Sequence, residues 1–239
     1  VAGLASRIPG LKMDTSTEGF LHADDPTLIA YDRFREQYGR DELILLTIKS
    51  PDLFRPEVLD RLSRLHQALR EKTPYLDDIT SLINARNTRG AEGELIVGDL
   101  LEHWPESAEA RAEVKAQAMG NPLYRNMLIS DDATITTIVI KTDAYPGSGT
   151  EEDVMAGFED LDKPAAMTPP AARVPLSDEQ NSEVVNVVRD IAAGYEADDF
   201  RIHLAGSPVL ADVLKRSMVT NITRCTEIYT AVLQLVLFL

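Results

Sequence analysis

The chain has 239 residues, 44% apolar and 26% charged, enough for a real core in one large domain or two small ones. Its formal net charge of −15 excludes nucleic acid, because nothing here neutralises a run of phosphates, and excludes flat docking on anionic lipid. The single cysteine, Cys225, excludes a disulfide framework and a cysteine-based metal site.

The first residues, VAGLASRIPG, carry no charged-then-apolar leader and read as an internal start. Residues 1–30 look irregular as far as Asp24-Asp25-Pro26, a good helix opening. Leu28, Ile29, Tyr31, Phe34 and Tyr38 then recur at helical spacing until Gly39. Residues 42–49, ELILLTIK, have strand length and the apolar density of a strand buried on both faces.

Pro56 suits the first position of a helix, where its missing N–H would be unpaired anyway. Val58, Leu59, Leu62, Leu65 and Leu69 form one stripe; Arg70 and Lys72 favour the last turn, and Pro74 stops it. Residues 78–84 read as a strand and 85–93 as a polar, glycine-bearing loop. Two helical stretches follow, one lined by Leu95, Val97, Leu100, Leu101 and Trp104, the other over 107–119 and ended by Gly120-Asn121-Pro122. Residues 123–130 and 134–142 read as strands joined at Asp131-Asp132-Ala133, the second rich in β-branched residues.

Residues 145–175 have no usable period and carry prolines that include Pro164, Pro169, Pro170 and Pro175, with one short helix at Val154, Met155, Phe158 and Leu161. Ser177, with Gln180 three residues on, has capping-box spacing. Val184, Val187, Val188, Ile191 and Tyr195 then share a helical face. A strand over 200–205 follows, and Gly206-Ser207-Pro208 opens a helix striped by Leu210, Val213, Leu214 and Met218. No turn signal stops it before 231–239, AVLQLVLFL. That run is too short to span a bilayer, which takes about 20 apolar residues. It reads as the first turns of a membrane helix, the alternative being a buried terminal strand or core helix.

The order of elements predicts an α+β fold of the ferredoxin-like βαββαβ kind: strand 42–49, helix 56–72, strand 78–84, strands 123–142, helix 177–196, strand 200–205. Residues 85–122 would be a helical insertion and 143–176 a flexible one. Residues 1–220 then make one domain and 221–239 begin the membrane helix.

Three phrases carry a family likeness: DTSTEGFLHADDP with YDRFREQYG, over 14–39; GNPLYRNMLISDDATITTIVI, over 120–140; and AGSPVL, over 205–210. With them the chain resembles the first extracytoplasmic domain of a resistance–nodulation–division (RND) superfamily transporter, in the branch of lipid, sterol and hopanoid exporters that includes the mycobacterial large membrane proteins. One departure is Asp132-Ala133, where that family usually has Asp-Gly at the hairpin; the other is the large proline-rich stretch at 143–176. The resemblance implies a porter-type domain in the periplasm, anchored in a bacterial inner membrane. Its partners would be a lipid-like substrate, the second periplasmic domain and membrane helices of the same transporter, and a periplasmic lipid carrier. Proton-coupling residues would lie outside this chain.

Catalytic or metal groupings do not stand out. His22, His66, His103 and His203 are scattered, and one His beside Glu102 is too little for a metal site. The Asp-Asp pairs at 24–25, 77–78, 131–132 and 198–199 all fall beside turns, which explains them more simply than acid–base chemistry. The reading is a binding and transport domain, with no enzyme activity and no cofactor. Its candidate lipid-binding residues are Leu100, Leu101, Trp104, Met119, Leu123 and Met127, whose competing role is plain packing of the inserted helices. Other readings are export of drugs, assistance to protein secretion, or an interaction or sensor module.

Overall fold

The computed structural model describes residues 22, 24–38, 42–91, 94–143 and 176–238. The irregular start and the short helix expected near Phe158 lie outside them. In chain order the elements are α1 (Pro26–Tyr38), β1 (Leu43–Lys49), α2 (Pro56–Lys72), β2 (Leu76–Thr80), β3 (Arg86–Ala91), β4 (Glu94–Asp99), α3 (Ala108–Gly120), β5 (Ile135–Thr142), α4 (Asp178–Tyr195), β6 (Arg201–Ala205) and α5 (Ser207–Phe238).

Four strands form one antiparallel sheet in the order β2-β5-β1-β6, and β3 pairs with β4 in a separate hairpin. The connections β1-α2-β2 and β5-α4-β6 each step over one strand. Strand alternation sets the face. Ile44, Leu46 and Ile48 of β1 stand opposite Ile140, Ile138 and Thr136 of β5, and all six are buried. Leu45 and Thr47 on the other face are only half-buried, so β1 is closed on one side, not both.

Two amphipathic helices close that side. The α2 stripe of Val58, Leu59, Leu62, Leu65 and Leu69 and the α4 stripe of Val184, Val185, Val188 and Ala192 join the sheet residues in one core, and the helices touch each other. Truncating one such buried leucine costs about 2–5 kcal/mol. Pro56 sits at the start of α2, with Glu57 in its first turn and Arg70 and Lys72 in its last. In α4 the capping box is complete: Gln180 N–H donates to Ser177 Oγ at 3.2 Å, and Ser177 N–H to Gln180 Oε1 at 2.8 Å.

Several expected elements differ. The strand expected over 78–84 is Leu76–Thr80, because Asn84 folds the next residues into a turn, accepting from Ser81 N–H at 2.9 Å and donating to Ile79 O at 2.7 Å. The loop expected over 85–93 and the helix through Leu95 and Val97 are instead the two arms of the β3–β4 hairpin. Apolar residues two apart, Leu95 and Val97 around β-branched Ile96, are the strand signal. The strand expected over 123–130 is a run of turns. Tyr124 O accepts from Leu128 N–H at 2.8 Å and Ile129 N–H at 3.0 Å, and Asn126 takes φ +62°, a left-handed value that asparagine tolerates. At the expected Asp-Gly hairpin the left-handed residue is Ala133, φ +55°.

Gly206 joins β6 to α5 at φ +118°, and a Cβ there would stand 2.0 Å from Leu43 O. Only glycine lets the junction lie against the start of β1. The apolar stripe of α5 is exposed: Leu210, Val213, Leu214 and Met218 face outward, while Pro208, Val209 and Asp212 are buried. Every residue over 216–238 is exposed. No helix among the described residues is long and apolar enough to cross a membrane.

Candidate functional site

The β3–β4 hairpin, the turn after it and α3 stand apart from the main sheet and enclose two adjoining clefts. Local chemistry fixes the frame. Ser107 Oγ caps α3 by accepting from Ala110 N–H at 3.1 Å. Arg111 Nη1 donates to Glu106 O at 2.7 Å and holds the turn onto the helix. Leu100 N–H donates to Ala85 O at 2.8 Å, closing the hairpin base. Tyr124 Oη donates to Arg86 O at 2.6 Å and ties the run of turns to β3. Burial pushes the Tyr124 phenol above its usual 10.0; a hydrogen bond with Asn121 opposes this and the charge of Asp99 adds to it.

The first cleft has a volume of about 220 Å³. Its floor is apolar, made by Leu100, Pro105 and Val114, and Trp104 stands at its side, 44% exposed. Asp99, Glu102 and Glu113 line its walls with His103. Glu102 folds back over Gly98, where a Cβ would stand 2.3 Å from its Oε2. The second cleft, about 520 Å³, is lined by Arg86 and Thr88 of β3, Gly120 of α3, and the 121–123 turn with Leu123. Asn87 and Gln117 border both clefts. Asn87 Nδ2 donates to Gln117 Oε1 at 3.0 Å, and Gln117 Nε2 donates to Glu113 Oε1 at 3.2 Å, a short amide chain between them.

The six expected lipid-binding residues separate. Leu100 is buried but reaches the floor of the first cleft, and Trp104 stands at its side. Leu123 is 73% exposed and lines the second. Leu101 is buried in the core and Met119 packs against it, so both support the frame. Met127 is exposed and lines neither cleft. Asp99, Glu113, Asn87 and Gln117 were not among the expected site residues. The signal for Glu113 and Gln117 is their spacing of four on a helix. Asp99 and Asn87 came together only through a hairpin read as loop and helix.

The other candidates are absorbed structurally. Asp25 Oδ1 accepts from Thr27 N–H at 2.7 Å, Asp77 pairs with Lys141 at 2.8 Å, Asp131 with Arg125 at 2.7 Å and Asp198 with Arg201 at 3.0 Å. Asp132 is held below the usual carboxylate range first by Ser130 and then by Thr134, both hydrogen-bonded to it. His203 is exposed on β6 and His66 is buried. Among the described residues no group of three or more His, Cys, Asp or Glu is placed to hold a metal ion. Compared with known proteins, the chain matches no family model and no curated relative.

Proposed function

We propose that the chain is the periplasmic domain of an RND-type exporter in a bacterial inner membrane, and that it binds a lipid-like amphiphile of the sterol or hopanoid kind without catalysing a reaction. The finer fold reading belongs with it: a ferredoxin-like porter domain carrying the hairpin and α3 as an insertion. Supporting it are the six core elements in βαββαβ order, the antiparallel sheet β2-β5-β1-β6, and both crossover helices in one core. The outward apolar residues of α5 support an approach to lipid. So do Thr220, Thr223, Thr226 and Thr230, whose hydroxyls all donate back to the carbonyl four residues earlier. Such bonding leaves none of these four hydroxyl protons seeking water.

The observation that carries the binding reading is the pair Trp104 and Leu123, held exposed in adjoining concave clefts instead of in the core. Concave places with an apolar floor and a few polar groups are where small molecules bind. The second periplasmic domain and the membrane helices of the same transporter would complete the enclosure, and a periplasmic lipid carrier would take the cargo on.

Thermophoresis of the intact chain against a dispersed sterol and a dispersed hopanoid tests this. The expected result is saturable binding, weakened about tenfold by Trp104→Ala with Leu123→Ala. Absence of saturable binding to any polycyclic lipid overturns the reading.

A further inference from the structure

The two clefts differ in electrical character, and the difference bears on the head of the ligand. The first cleft gathers three carboxylates, Asp99, Glu102 and Glu113, with no lysine or arginine in its lining. None of the three has an ion-pair partner among the described residues, whereas Asp60, Asp77, Asp131, Asp198, Asp199 and Asp212 each have one. Two bases lie two residues from Glu113: Arg111 donates to backbone carbonyls of the turn, and Lys115 lies over the Phe54 ring, 5.9 Å from its centroid.

Acidic groups alone are commonplace on a chain of net charge −15. Here they ring a concavity with a closed apolar floor, Leu100 and Val114, and with the chain's only tryptophan at its side. Low-dielectric walls focus the field of like charges into a cleft and favour a counter-charge there. An indole face attracts the same sign of ligand, most strongly when the cation is poorly hydrated. Carboxylates, an aromatic face and an apolar floor together describe a seat for an amine or quaternary ammonium. At about 220 Å³ the cleft is smaller than the roughly 300–1,000 Å³ of sites that enclose a whole drug-sized ligand. It suits a head, with the remainder of the molecule lying outside or toward the second cleft.

We propose that the cleft between the β3–β4 hairpin and α3 binds the ammonium head of a cationic amphiphile, with Asp99, Glu102 and Glu113 supplying counter-charge and Trp104 its ring face. This rests on the amphiphile-binding reading and narrows its ligand class. The amide pair Asn87–Gln117 separates the acidic cleft from the second, whose lining carries Arg86 and which therefore disfavours the same head.

Trp104 is the sole tryptophan, so its emission reports this cleft and no other place on the chain. The intact chain is titrated, below micelle formation, with dodecyltrimethylammonium, dodecyl maltoside and dodecyl sulfate, which share one tail and differ in head. The expected result is a saturable Trp104 response in which the cation binds about tenfold more tightly than the maltoside. Glu102→Gln with Glu113→Gln should remove that preference. Glutamine at 113 keeps an acceptor for Gln117, and both side chains are exposed, so circular dichroism should be unchanged. Glu179→Gln with Glu183→Gln, exposed on α4, changes the net charge equally and should leave the preference intact. Equal affinity for cation and maltoside overturns the ammonium assignment and leaves amphiphile binding standing. Equal loss in both double variants shows bulk charge attraction and also overturns it. No saturable response to any of the three overturns both readings.

Discussion

His66 couples the packing of α2 to the acidity of the medium. Its side chain is 4% exposed, and Nδ1 lies 2.9 Å from Ser81 Oγ. Ser81 Oγ also accepts from Ile83 N–H at 3.1 Å, which ties the ring to the turn after β2. Burial, and secondarily the positive charge of Arg70, hold the His66 pKa below 6.5, while Asp78 pulls the other way. The folded chain therefore binds this proton less readily than the unfolded one. The stability that follows is fully present above the unfolded value near 6.5 and is lost as pH falls from there through the folded value. Urea denaturation of the wild type and of His66→Leu, at about pH 8 and about pH 5, isolates the effect. The wild type should lose more stability over that interval than the variant, which has no proton to take up. Parallel losses would show that the ring titrates alike in both states.

At the scale of elements, α4 and α5 meet along a polar seam. The Asp212 carboxylate is 2% exposed and is bracketed by Arg189 Nη2 at 3.1 Å and Arg216 Nε at 2.9 Å. Asn186 accepts from both guanidiniums, at 2.9 Å from Arg189 Nη1, and Lys215 reaches Asp178 O at 3.4 Å. The carboxylate is buried and the arginines are half-exposed, so the two sides of the seam are unequal. Removing Asp212 lets both guanidiniums reach water, and Asp212→Asn should cost about 1–3 kcal/mol. Removing both cations strands a buried charge, and Arg189→Met with Arg216→Met should cost more, about 3–5 kcal/mol. Equilibrium denaturation gives the order; an asparagine variant that is worse than the double methionine variant would mean the carboxylate is hydrated and the seam open.

The seam also marks where sequence pattern stopped informing. Stripes of four or more apolar residues located α2 and α4, a continuous apolar run of strand length located β1, and β-branched content located β5. Leu210, Val213, Leu214 and Met218 make an equally good stripe, yet face outward; α5 is seated by Pro208 and Val209 and by the buried Asp212 with its arginines. Periodicity sees hydrophobicity and cannot see an aspartate satisfied by Arg216 one turn on and by Arg189 of another helix. The candidate site was half legible for a related reason. Trp104 and Leu100 stand out as large apolar residues near turns, whereas Asp99 and Asn87 face the same cleft only once the hairpin register Asn87↔Gly98 is known.

For the molecule as a whole, α5 raises the question of where the globule ends. The helix touches α4, β1 and β6 near its start. Beyond that, every residue over 216–238 is exposed, including Ile228, Tyr229, Leu235 and Phe238. Isolated helix in water is marginal, so this part gains little from its own hydrogen bonds and adds nothing to the core. Its uncovered apolar side chains, densest over 228–238, would drive self-association or partition into lipid. A variant ending at Val219 removes that surface and no buried side chain. It should melt within about 2 °C of the longer chain, since about 1 kcal/mol moves Tm by only a few degrees at this size. It should also run as a single species on size exclusion and fail to float with neutral phosphatidylcholine vesicles, where the longer chain floats. A fall in Tm of much more than a few degrees would assign residues 220–238 to the globule, and equal flotation of both chains would place the lipid-seeking surface elsewhere.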